Sequence, residues 1–120
     1  MTPQEILDTS YKALVAQGSP AKNSKGYCTY YDESTGHRCA VGLLVSEEQA
    51  KNLPQVDIYE LNISTPELPT FFLEYEKLLA DIQDVHDNYD TSLGVNFHDY
   101  LKVCYKDIAD AYELDTKEIV

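Results

Sequence analysis

Three cysteines and three histidines are the residues of this 120-residue chain best suited to chemistry. Cys28, His37 and Cys39 fall within twelve residues, while His86, His98 and Cys104 come from further along. Thiolate and imidazole are the ligands zinc prefers, four of them in a tetrahedron. A thiol beside an imidazole is also the start of a nucleophilic pair. The spacing is less telling than the residue types, because no paired CxxC or HxxxH knuckle is present. Free cysteine more often packs as a small buried hydrophobe. The set Cys28, Arg38, Cys39 and His86 therefore stands as the alternative ligand or metal site, with zinc as its cofactor. The leading expectation is no cofactor and structural packing. Arg38 with Lys22 and Lys25 is the one modest basic cluster, enough for a small anion.

His86 is followed directly by Asp87. Neighbours in a helix point about 100° apart, so the sequence predicts that Asp87 does not serve His86. A histidine on an apolar face must still find a partner or stay neutral. The expectation is a satisfied buried imidazole that meets a backbone carbonyl. No Walker A loop, G-x-G-x-x-G, G-x-S-x-G or HExxH occurs, which removes the common routes to an enzyme.

Charge is the second chemical feature. Nine Lys and Arg face 21 Asp and Glu, a net charge of −12. Such a balance excludes a general nucleic-acid binder, which needs a basic face to displace counterions. It also argues against docking on anionic membranes. Residues 1–40 are neutral, with four acidic and four basic side chains, so residues 41–120 carry all of the excess. Between Glu67 and Asp90 lie seven acidic residues and one lysine. Glu74, Asp81, Asp84 and Asp87 fall away from the apolar stripe of that segment, as an exposed ridge, and Asp110 and Glu113 belong to a second acidic row. At ~1.5 Å rise per residue the ridge carries one charge per ~5 Å, against one per ~1.7 Å in duplex DNA. One helix is too sparse to imitate a duplex. The expected partner is a basic protein surface, with a solvated, solubilising face as the competing reading.

Ten tyrosines and no tryptophan complete the inventory. Tyrosine offers contact area with a polar tip and is favoured at protein interfaces. Tyr30 and Tyr31, with Tyr27, are the expected contact residues on a hairpin.

These residues must be positioned by a short list of elements. Thr2 before Pro3, apolar Ile6, Leu7, Leu14 and Val15, and Gly18 with Pro20 predict a helix over 3–17. Two runs rich in Tyr, Thr, Cys and Val flank DESTG and predict a β-hairpin over 27–32 and 37–45. Gly42 in the second run points to a bulge or a close backbone approach. Ser46 with Gln49 three residues on predicts a short helix before Pro54. Residues 55–64 stay open between a third strand and an irregular crossing. Phe72, Tyr75, Leu79, Ile82, His86 and Tyr89 step by three and four and predict one long helix over 71–89. Asn96 with Asp99 starts a last helix through Phe97, Leu101, Cys104 and Ile108. The sum is a small α+β domain over 1–120, three main helices packed against a β-hairpin. The odd cysteine count and the acidic start, unlike a signal peptide, predict a cytoplasmic location.

Over residues 5–90 the chain resembles a group of small proteins of no assigned activity from phages and bacterial genomes. The pattern is a helix ending in QG, then C-x-Y, G-x-R-C-A-V-G and a later L-Q- or I-Q-x-x-H-D. It is carried here by Gln17, Gly18, Cys28, Tyr30, Gly36, Arg38, Cys39, Ala40, Val41, Gly42, His86 and Asp87. Those relatives often carry a further Cys where this chain has Leu43. The resemblance implies a phage-encoded, non-enzymatic protein that binds and inhibits a host protein, anti-phage defence included.

Overall fold

Helix α1, Pro3–Gln17, begins where the sequence places it. Thr2 Oγ1 accepts from the Glu5 N–H at 3.2 Å, and Glu5 Oε1 accepts from the Thr2 N–H at 2.9 Å. This reciprocal box satisfies two donors that the first turn leaves without helical partners. Gly18 ends the helix in the left-handed region at φ 81°, its N–H on the Leu14 carbonyl, where a side chain would be strained.

The computed structural model describes residues 1–22, 29–65 and 67–120. After α1 come α2 (Glu47–Lys51), α3 (Ile58–Ser64), α4 (Phe71–Glu74), α5 (Glu76–Asp87) and α6 (Phe97–Ala111). Single 3-10 turns cover Gly42–Leu44 and Thr91–Leu93. Helix α6 packs on both α1 and α5, α5 also packs on α3 and α4, and α1 packs on the first 3-10 turn. The shortest principal extent is 19 Å, close to two helix diameters of ~10 Å. Two layers enclose one cluster in which Ile6, Leu7 and Leu14 meet Leu79, Ile82 and Leu101, all fully buried. Between α1 and α6 the Tyr11 and Tyr105 rings sit 5.2 Å apart. The buried Tyr105 hydroxyl donates to Ser10 Oγ at 3.0 Å, and Ser10 Oγ donates to the Ile6 carbonyl at 2.8 Å. Every polar atom of that contact is thereby engaged, as burial requires.

The expected α+β architecture is overturned. Among the described residues there is no sheet; an isolated antiparallel bridge between Tyr31 and Arg38 stands where the hairpin was predicted. Asp32 closes the turn itself, its carboxylate accepting from Ser34 Oγ at 2.9 Å and Thr35 Oγ1 at 2.8 Å. Those hydroxyls hold Asp32 below its usual pKa. Beyond the bridge, Cys39, Ala40, Val41 and Gly42 are all buried, so the alternating in-and-out pattern of a strand is lost. Their segment curls instead, with the Leu43 N–H on the Cys39 carbonyl and the Leu44 N–H on Val41. Residues 27 and 28 of the predicted first strand lie outside the described residues.

Residues 55–64 form neither a third strand nor a crossing. They hold α3, capped by Asp57, whose carboxylate accepts from the Glu60 N–H at 2.8 Å. Ile58 and Leu61, three apart, are its buried face. The predicted helix over 71–89 is also divided. Tyr75 leaves helical geometry at φ −120°, ψ 38°. The Asn62 amide donates to the Phe72 carbonyl at 2.9 Å and to Glu76 Oε2 at 2.8 Å. That carbonyl is the acceptor residue 76 would use in an unbroken helix, and an inserted side chain is a recognised cause of such breaks. Asn96 caps α6 as predicted, accepting from the Asp99 N–H at 2.8 Å. No helix of the described residues is long and apolar enough to cross a membrane.

Gly42 is the close approach foreseen in the sequence. A Cβ built there falls 2.3 Å from the Tyr30 carbonyl oxygen, and backbone cannot swing aside as a side-chain tip can. Gly42→Ala is expected to cost about 2 kcal/mol or more in chemical denaturation. Wild-type stability in that variant would refute the close packing of the two segments.

Candidate functional site

The C-terminal turn of α5 and the segments before and after the Tyr31–Arg38 bridge bring together most of the Cys/His/Arg set. His86 is fully buried. Its Nε2 accepts from the Ala21 N–H at 3.0 Å, and Nδ1 lies 2.8 Å from Asp87 Oδ1. Because a backbone N–H points at Nε2, the ring proton resides on Nδ1, which donates to Asp87. Two expectations are corrected by this. Asp87 does partner its neighbour, and the backbone group met is an N–H, not a carbonyl. Gln83 braces the arrangement: its amide donates to Asp87 Oδ1 at 2.8 Å and its oxygen accepts from the Val41 N–H at 3.3 Å.

Arg38 is also committed to backbone. Its Nη1 donates to the Val45 carbonyl at 2.9 Å and the Gly42 carbonyl at 3.4 Å. Gln17 brackets the same residue, accepting from the Arg38 N–H and donating to its carbonyl, both at 2.8 Å. Lys22 donates to the Tyr89 carbonyl at 2.7 Å, and Lys25 lies outside the described residues, so no anion cradle is assembled among those described. Cys39 is fully buried; burial, with Asp87 nearby, raises its thiol to about 12, although the Gly42 N–H donates to Sγ. A thiol so placed is a poor nucleophile, because the thiolate is the reactive form. His86 has no ring nitrogen to spare as its base. Among the described residues no group of three or more His, Cys, Asp and Glu converges to hold a metal ion. Cys28 lies outside them. His37 meets Ser19 Oγ at 2.9 Å and His98 meets the Val120 oxygen at 2.8 Å, each apart from the others.

The predicted acidic ridge leads to a different site. Asp81, Asp84 and Asp87 line one wall of a cleft of about 440 Å³, and Asp57, Ile58 and Tyr59 at the start of α3 line the other. Tyr30, Gln55 and Gln83 are among its remaining residues. Of the twelve described lining residues four are aspartates and none is basic. The four differ in what they have left to offer. Asp81 accepts from Lys77 Nζ at 3.0 Å and from the Tyr112 hydroxyl at 2.5 Å. Asp87 is held by His86 and Gln83, and Asp57 caps α3. Asp84 forms no ion pair among the described residues, and partial burial followed by the charges of Asp87 and Asp81 raises its carboxyl. Glu74, Asp110 and Glu113 are exposed outside the cleft. Tyr112, between the last two, ties the end of α6 to Asp81 at this edge.

The tyrosines do not present the expected contact pair. Tyr30 is buried, its hydroxyl on the Val56 carbonyl at 2.6 Å, its N–H on Gln55 Oε1. Tyr31 donates to Glu47 Oε1 at 2.9 Å beneath Lys51. Sequence reasoning missed Asp57 and Tyr59 because it missed α3. The signal was there, in Asp57 followed three residues on by Glu60, the spacing of a capped first turn.

Comparison with family models, with curated proteins and with solved structures finds no match to this chain. The functional reading rests on the cleft and its charges.

Two outcomes follow. Cys39 is expected to resist a thiol reagent at pH 8, where about one thiol in ten thousand is ionised, until the protein is unfolded. Peptide mapping of the labelled cysteines reads this, and rapid native labelling of Cys39 would contradict its burial. Asp84 has a folded pKa above its unfolded one, so it favours folding below the unfolded value and opposes folding as pH rises through the folded value. Asp84→Asn should therefore stabilise slightly near pH 7, within about 0.5 kcal/mol, and lose that advantage near pH 3. Paired thermal melts at the two pH values measure it; an equal effect at both would remove the carboxylate from the account.

Proposed function

We propose that this is a non-enzymatic binding protein that takes a basic surface of another protein onto the cleft between α3 and α5. The observation that carries the reading is that cleft: four aspartates, no basic residue among the described lining residues, and an Asp84 carboxyl raised by partial burial and then by the charges of Asp87 and Asp81. Asp84, crowded by Asp87 and Asp81 and without an ion pair among the described residues, is a position that an incoming Lys or Arg relieves. The relief adds to ordinary electrostatic attraction, which steers encounter and speeds association. The ridge beyond the cleft, Glu74 with Asp110 and Glu113, extends the negative field toward a larger surface.

Inhibition by occupation is the simplest consequence of such docking, since the partner's basic patch is covered. The resemblance to phage proteins makes a host protein, including one of anti-phage defence, the class of partner to test first. The enzyme reading has less support. Arg38, Cys39 and His86 meet backbone and one another's neighbours, and no cavity opens beside the Cys39 thiol among the lining residues of the cleft.

The test is affinity purification from host cells with wild type and Asp84→Lys in parallel. The partner is expected to be retained by wild type, lost with the variant, and released by about 0.5 M salt, where the Debye length has fallen to about 4 Å. A partner retained through both treatments would show that the acidic cleft is not the docking surface.

A further inference from the structure

The cleft has an apolar border that charge alone does not explain. Tyr59 lines it and is 47% exposed, and Ile63, four residues on, is 81% exposed. Residues at i and i+4 stand one above the other on a helix face, ~5–6 Å apart. Helix α3 thus turns Ile58 and Leu61 to the core and shows Tyr59 and Ile63 to solvent. Isolated exposed apolar residues are ordinary. A pair stacked on one short helix, beside carboxylates that face the same cleft, is a two-part surface.

We propose that the occupant is a basic amphipathic segment of the partner protein, with apolar side chains laid on Tyr59 and Ile63 and a Lys or Arg reaching Asp84. This rests on the acidic-cleft reading and adds the form of the ligand to it. Charge complementarity selects a cationic segment, since four of the described lining residues are aspartates and none of those described is basic. The exposed pair selects a segment that brings apolar surface: a polyamine would neutralise the aspartates and leave Ile63 in water. A metal cation fits poorly, because among the described residues no group of three or more His, Cys, Asp and Glu converges to hold one, and Asp81 and Asp87 already accept from Lys77, Tyr112, His86 and Gln83. Recognition by an apolar stripe with flanking charge is a known mode of segment binding.

The experiment uses the full chain, isotope-labelled, and three probes followed by amide shifts: a Leu/Lys amphipathic peptide of about 18 residues, the same peptide with every Leu replaced by Ser, and spermine. The Leu/Lys peptide is expected to bind about tenfold or more tighter than either control, shifting amides of residues 55–63 and 80–87. Ile63→Ser should weaken only the Leu/Lys peptide, by about tenfold, whereas Asp84→Asn should weaken all three. Both side chains are exposed, so neither variant threatens the fold. Equal binding of the Leu and Ser peptides, still sensitive to Asp84→Asn, would overturn the amphipathic segment and keep the acidic cleft. Shifts elsewhere on the molecule, or binding indifferent to Asp84, would overturn both.

Discussion

Backbone N–H and C=O groups that leave water must be paired, and described residues that form no sheet have few backbone partners to offer outside the helices. In this protein side chains take up the task. The Ala21 N–H goes to His86, the Val41 N–H to Gln83, the Tyr30 N–H to Gln55, and both polar atoms of the Arg38 backbone to Gln17. Arg38 in turn covers the carbonyls of Gly42 and Val45. A buried amide left without its acceptor costs about 1–3 kcal/mol, more than a typical hydrogen bond contributes when made. His86 faces this condition in its strictest form, since both it and Ala21 are fully buried. The irregular segments lie where they do because these few side chains hold them there.

That constraint also sorts the residues by role. The side chains with the richest chemistry, Cys39, His86 and Arg38, are consumed in holding backbone. Helix α5 spends its inner face on Leu78, Leu79 and Ile82 in the core and on His86 at the loop, which leaves its aspartates for solvent and for the cleft. The two roles meet at Asp87, which orients His86 from one side and lines the acidic cleft on the other. One wall of the acidic cleft is therefore set by the same contact that fixes the loop layer.

The parts of this fold that were legible in the sequence are those written in local spacing. Thr2 with Glu5, Ser46 with Gln49 and Asn96 with Asp99 each cap a helix where the pattern says they should, because a capping oxygen and the N–H that donates to it lie three residues apart. The parts that were not legible depend on donors from far along the chain. Tyr75 breaks a continuous helical stripe because Asn62 inserts there. The strand-like run 37–45 curls because Gln17, Gln83 and the run's own Arg38 satisfy its backbone, so it needs no ladder. The aspartates of α5 could be placed on one face by periodicity alone, whereas their opposing wall, Asp57 and Tyr59, required knowing that 58–64 is a helix. The side chains of Gln17, Arg38 and His86 all bind backbone of the irregular segments, and Asp87 holds His86.

The dependence of the loop layer on His86 is most directly tested by native-state amide exchange at Ala21, compared between wild type and His86→Leu. The account predicts a protected Ala21 amide in wild type, and a loss of protection of about tenfold or more in the variant relative to amides in the middle of α6. An Ala21 amide that exchanges freely in wild type, or stays equally protected without the imidazole, would contradict it.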